Sequence, residues 1–175
     1  TLVVIDDSIV RGTTLEKSIL QLLDRLGPKR IVVVSSAPQI RFPDCYGIDM
    51  SRLGDFVAFR AVIQLLKDQG KDYLLGEVYE KCLRANDPTP VNYVKQLYDQ
   101  FTYEEVSDKI ADIVKPAGMK ADLKVVFQTV EALHKAIPNH SGDWYFTGNF
   151  PTPGGTHVAN QAYVNFMEGR LVRAY

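Results

Sequence analysis

Thr1-Leu-Val-Val-Ile5, Asp6-Asp7-Ser8-Ile9-Val10-Arg11-Gly12-Thr13-Thr14 and the leucine-rich run from Leu15 to Leu26, closed by Gly27-Pro28, together decide the fold. The first piece is a β-branched apolar run and reads as a strand buried on both faces. The second is a polar loop. In the third, Leu15, Ile19, Leu22, Leu23 and Leu26 share one helical face. Thr13 and Glu16 are spaced as a capping box, and Gly27-Pro28 supplies a left-handed cap and a breaker. Lys29-Arg30 then leads into Ile31-Val-Val-Val34, a second buried strand. Strand, helix, strand is a βαβ unit, which makes the strands parallel and the crossover right-handed.

Beyond that unit, residues 37–50 carry two prolines and a glycine and form an irregular loop past the second strand. That sheet edge is where open α/β proteins bind ligands. The periodicity then predicts helices over residues 56–67, 74–83, 90–101, 103–114 (capped by Thr102), 123–136 and 158–167, with a loop over 139–156. The fold class is therefore α/β: part of a parallel sheet in residues 1–58, followed by a mostly α-helical C-terminal extension in residues 59–175.

Composition narrows the functions. The chain has 175 residues, 20 Lys+Arg against 21 Asp+Glu, and 46% hydrophobic residues, an ordinary globular composition. Charge is balanced in residues 1–59 and in the remainder, which gives no electrostatic reason to expect nucleic acid or an anionic membrane. Apolar runs stop at about four residues, far short of the ~20 that a span needs, and no signal-peptide pattern opens the chain. Cys45 and Cys82 stand apart without a C-x-x-C and read as reduced thiols of a cytoplasmic protein.

The chemistry lies in residues 6–14. Asp6 and Asp7, at the carboxyl end of a strand, can accept hydrogen bonds from vicinal ribose hydroxyls and hold Mg²⁺ directly or through water. The turn after them offers backbone N–H groups, a glycine for close approach, hydroxyls from Ser8, Thr13 and Thr14, and a helix N-terminus that favours an anion. An acid pair alone is an ordinary solvated loop, and Thr13 alone an N-cap. The combination describes a ribose 5-phosphate site. It is neither a P-loop nor a G-x-G-x-x-G turn.

Residues 3–14 resemble the 5-phosphoribosyl-1-pyrophosphate (PRPP) signature of the type I phosphoribosyltransferases, and the spelling of residues 6–14 resembles the glutamine amidophosphoribosyltransferase family in particular. Ile40-Arg-Phe-Pro43, Tyr46-Gly-Ile-Asp-Met50, Phe146-Thr-Gly148 and Pro151-Thr-Pro-Gly-Gly155 carry the same likeness. It is strong over residues 1–58, thin from about 60 to 140 and visible again over 146–169. The resemblance implies transfer of glutamine-derived ammonia to PRPP, giving 5-phosphoribosylamine and pyrophosphate, the first committed step of purine synthesis. It implies that Asp6 and Asp7 address the ribose hydroxyls and Mg²⁺. Ser8, Ile9, Val10, Arg11, Gly12, Thr13 and Thr14 would cradle the 5-phosphate. Purine nucleotides are the implied inhibitors, and a homo-oligomer the implied full-length state.

Several features depart from the family. No glutaminase domain or earlier transferase strands are in the chain, and it opens at Thr1 inside a strand, so a cut chain is expected, inactive by itself. Some relatives hold an iron–sulfur cluster on a C-x-x-C before the Phe-Thr-Gly stretch. The corresponding residues are Gly142 and Tyr145, so no iron–sulfur cluster is expected. His134, His140 and His157 lack metal-ligand spacing and read as surface or capping residues. Arg41 is either a partner for a nucleotide phosphate or an ordinary surface arginine. Two other classes stand beside the enzyme: a nucleotide- or PRPP-sensing module without catalysis, and a helical interaction region over residues 60–175.

Overall fold

The computed structural model describes residues 1–44, 50–85, 91–140 and 142–174. Cys45, the stretch from Tyr46 to Asp49 and Pro90 lie outside the described residues. Three parallel strands, β1 (Leu2–Asp6), β2 (Arg30–Ser35) and β3 (Asp122–Phe127), form a sheet in the order β1-β2-β3. The register aligns Val4, Val33 and Val125 across the sheet, and Asp6, Ser35 and Phe127 at its carboxyl edge.

β3 corrects the expectation of a helix over residues 123–136. Leu123-Lys-Val-Val-Phe127 is too short for periodicity to separate strand from helix, and pairing with β2 decides it. Only α6 (Val130–Ala136) is helical there, capped by the Thr129 hydroxyl, which accepts from the Ala132 N–H at 3.1 Å.

β1 is not buried on both faces. Ile31, Val33, Val125 and Phe127 are buried, whereas Val3 and Ile5 on the opposite face are 58% and 75% exposed. Strands added in one direction by right-handed crossovers carry both connections to the same side, which leaves the other side without a helical layer.

Residues 13–24 are helical throughout, but Leu15–Ile19 forms a π turn, closed by the Leu20 N–H on the Leu15 carbonyl, before α1 (Leu20–Asp24). The wider turn rotates the residues after it. Leu20 enters the core instead of Leu22 and Leu26, which are 64% and 73% exposed. The Thr13–Glu16 capping box does not form among the described residues. The Glu16 N–H donates instead to the Gly12 carbonyl at 2.9 Å, which makes Thr13 the first helical residue rather than the cap. Gly27 does take the left-handed conformation expected of it, with φ 70°.

Asp24 ties this helix to the entry of β3. Its carboxylate accepts from the Lys120 N–H at 3.1 Å and the Ala121 N–H at 2.9 Å. The Ala121 bond first, then the Lys120 bond, hold the carboxyl below its usual range. A lowered pKa contributes stability above the unfolded pKa, and that stability is lost as pH falls through the folded one. Asp24→Asn is therefore expected to lower the thermal midpoint at neutral pH and to flatten its acid limb. A pH series of melts checks both.

The remaining helices are α2 (Val57–Asp68), α3 (Tyr73–Leu83), α4 (Lys95–Tyr98), α5 (Tyr103–Val114), α7 (Trp144–Thr147) and α8 (Pro153–Met167). α5 packs on α2 and β3, and its start is the predicted cap: Thr102 accepts from the Glu105 N–H while the Glu105 carboxylate accepts from the Thr102 N–H. α8 begins earlier than expected, with Thr152 as cap and Pro153 in the first turn. Buried residues from Ile9 to Val164 form one hydrophobic cluster. No helix among the described residues is long and apolar enough to cross a membrane.

Candidate functional site

The carboxyl end of β1 is fixed by its neighbour. The Ser36 N–H donates to the Asp6 carbonyl at 2.9 Å and the Ala37 N–H to the Asp7 carbonyl at 3.0 Å. With their backbones held, the acid side chains fold back on the turn. Asp6 Oδ1 accepts from the Asp7 N–H and Asp7 Oδ1 from the Ser8 N–H, at 3.0 and 2.8 Å. Partial burial, then the adjoining Asp7 carboxyl, raise the Asp6 carboxyl above its usual range.

Beyond the acids, Asp6 and residues 8–15 line a single cleft of about 420 Å³. Asp7 is exposed and does not line it. Ile9 and Leu15 are buried and anchor the two ends of the loop in the core. Between them, Gly12 has φ 72° and lies against α5, where an added Cβ would come within 2.6 Å of Val114 Cγ1. The Val10 carbonyl accepts from the Val57 N–H at 2.8 Å. The Arg11 guanidinium lies 3.5 Å from Asp55 Oδ2, which also pairs with Arg52 at 2.7 Å. Gly12 heads the helix, its carbonyl accepting from the Glu16 N–H at 2.9 Å, and has no side chain with which to cap the N–H groups that follow. Carboxylates beside a backbone cup suit a polyhydroxylated phosphate ester.

A second cleft of about 330 Å³, past β2 and β3, includes Arg41, Tyr98, Tyr103 and Phe146. Arg41 is not an ordinary surface arginine. Its guanidinium lies 5.1 Å from the ring centres of both Tyr98 and Tyr103 and donates to Gln39 Oε1. Gln39, fully buried, also donates through Nε2 to the Tyr103 carbonyl and the Ser107 hydroxyl. The Tyr103 hydroxyl accepts from the Gln39 N–H at 2.9 Å and donates to the Gln128 carbonyl at 2.7 Å, joining the loops after β2 and β3. Tyr103→Phe strands both backbone groups and is expected to cost about 1–3 kcal/mol. A lower urea midpoint with an unchanged slope is the readout.

No family model matches the chain. Curated relatives do. The chain is 41% identical over 88 residues to the amidophosphoribosyltransferase of Escherichia coli (strain K12), 48% of this chain and 17% of that protein. It is 44% identical over 72 residues to that of Pasteurella multocida (strain Pm70), 41% of this chain and 14% of that protein. Identity is 41% over 133 residues to that of Lachancea kluyveri, 70% of this chain and 26% of that protein. The chain is related in sequence to the amidophosphoribosyltransferases. It spans about a quarter or less of the length of these relatives.

Two separate stretches that carried the amidophosphoribosyltransferase likeness in the sequence meet in space. The Arg41 and Phe42 N–H groups both donate to the Tyr145 carbonyl, at 2.8 and 3.0 Å. Gly148, with φ 72°, leaves room that a Cβ would take from Phe42 and Asn92, at 2.9 and 2.6 Å. Of the histidines, His134 pairs with Asp143 at 3.2 Å and His140 accepts from the Gly142 N–H, neither in a helix cap. Among the described residues no group of three or more His, Cys, Asp and Glu could hold a metal ion. Sequence reasoning missed Val57, Asp55 and Val114, which hold the loop from 44 to 102 residues away in sequence and leave no local signal.

Proposed function

We propose that this chain supplies the ribose 5-phosphate half of an amidophosphoribosyltransferase site, in a cytoplasmic, homo-oligomeric enzyme that couples glutamine-derived ammonia to PRPP. The products are 5-phosphoribosylamine and pyrophosphate, the opening of purine synthesis, with purine nucleotides competing for the same cup. One observation carries the reading: Asp6 and the whole turn from Ser8 to Thr14 surround one cleft at the carboxyl end of a parallel strand.

The chain's own residues bind and orient. N–H groups over residues 8–14, with the hydroxyls of Ser8, Thr13 and Thr14, hold the 5-phosphate, while Asp6 and Asp7 accept from the ribose hydroxyls and favour positive charge on the ring as it turns oxocarbenium-like. Ammonia then adds to the anomeric carbon with inversion as the bond to pyrophosphate breaks. The donor set suits Mg²⁺ arriving with its substrate. Two carboxylates at adjoining residues, with Asp6 raised by partial burial and then by Asp7, are short of a complete cage, and Mg²⁺ binds through one or two carboxylates plus substrate phosphates. Bound there, Mg²⁺ would neutralise the leaving pyrophosphate.

Calorimetry with PRPP, with and without Mg²⁺, tests the reading. Weak, Mg²⁺-strengthened binding is expected, and no phosphoribosylamine from the chain alone. Tight binding, or synthesis by the chain itself, would contradict it.

A further inference from the structure

We infer that Asp55 is a positioning residue, which with Arg52 draws the guanidinium of Arg11, itself a lining residue of the cleft, away from a bound phosphate so that the turn binds phosphate through its backbone. This rests on the ribose 5-phosphate reading of the loop. Arg11 is the only basic residue in residues 6–14 and the obvious direct partner for a phosphate. Its guanidinium is engaged elsewhere, 3.5 Å from Asp55 Oδ2. Asp55 is itself held, since Arg52 reaches the same oxygen through Nε at 2.9 Å and through Nη2 at 2.7 Å.

The segment that begins at Asp55 grips the turn a second time. Two residues on, the Val57 N–H donates to the Val10 carbonyl at 2.8 Å. In a trans peptide the C=O and the following N–H point in opposite directions, so this bond aims the Arg11 N–H away from Val57. Val57 is also the neighbour of Gly12, 3.5 Å from where a Cβ would stand. Side chain and backbone of one short segment therefore set the orientation of the Val10–Arg11 peptide.

The energetics separate positioning from support of the fold. The Arg11 and Asp55 side chains are 39% and 28% exposed, and half-exposed ion pairs contribute little to global stability. Losing the tether should loosen the turn and leave the fold in place.

The test compares Asp55→Asn, Arg11→Ala, the double variant and Asp55→Glu in the 175-residue chain, with two readouts. Hydrogen exchange at the Val57 amide reports docking of the turn without any ligand, and ribose 5-phosphate titration reports the cup. Expected are exchange faster and affinity weaker by about two- to fivefold in both single variants, no further loss in the double variant, recovery in Asp55→Glu, and an unchanged urea midpoint. Unchanged Val57 exchange in Asp55→Asn overturns the inference whatever the ligand does. So does tighter ribose 5-phosphate binding in Asp55→Asn with loss in Arg11→Ala, which would make Arg11 a direct phosphate contact. Failure of the unsubstituted chain to bind ribose 5-phosphate overturns the reading of the site instead, and Val57 exchange still decides the tether.

Discussion

Gly12→Ala is expected to destabilise the chain by several kcal/mol and to abolish phosphate binding at the turn. Two costs add. The left-handed conformation at φ 72° costs a residue with a Cβ about 1–2 kcal/mol. The new methyl would also stand 2.6 Å from Val114 Cγ1, and forcing extra volume into a packed contact costs about 1–3 kcal/mol. Relief requires the turn to lift from α5, which moves the backbone that forms the cup. Gly27→Ala is the control: its φ is 70°, but nothing lies within 4 Å of the added Cβ, so only the conformational cost applies. Urea unfolding of the two variants, with ribose 5-phosphate titration of each, separates strain from loss of the site.

The second large effect concerns the acid pair. In an amidophosphoribosyltransferase carrying this segment, Asp6→Asn with Asp7→Asn is expected to lower ammonia-dependent synthesis of phosphoribosylamine by at least about 10²–10³-fold, the usual cost of removing a group that stabilises transition-state charge. Glutaminase chemistry should fall much less. Stability should move the other way. The Asp6 carboxyl is raised in the folded state, so its ionisation opposes folding as pH rises through its unfolded and then its folded pKa. Amides relieve that opposition, and the double variant should melt no lower than the parent at neutral pH. Normal ammonia-dependent activity would remove Asp6 and Asp7 from the proposed chemistry.

Much of this site was legible because it is local. Strand, acid pair, glycine turn and helix run consecutively from Leu2 to Asp24, and a βαβ unit is encoded by short-range pattern. What escaped the sequence was long-range. Leu123 to Phe127 carries the same apolar spacing as the start of a helix, and only the unpaired edge of β2 makes it a strand. The π turn at Leu15–Ile19 shifted which leucines face inward, an outcome that a regular 3.6-residue period cannot express. Exposure of Val3 and Ile5 followed from strand order, which no single strand encodes. The contacts that hold the turn over residues 8–14 come from Asp55, Val57 and Val114, whose nearness to Arg11 and Gly12 is a property of the fold.

The most direct measurement of the central claim is a backbone amide titration of the chain with ribose 5-phosphate, monitored by nuclear magnetic resonance. The account predicts saturable shifts centred on the amides of residues 8–14, weakened in Gly12→Ala. Shifts that centre on the Arg41 cleft, or no saturable shift at residues 8–14, would contradict it.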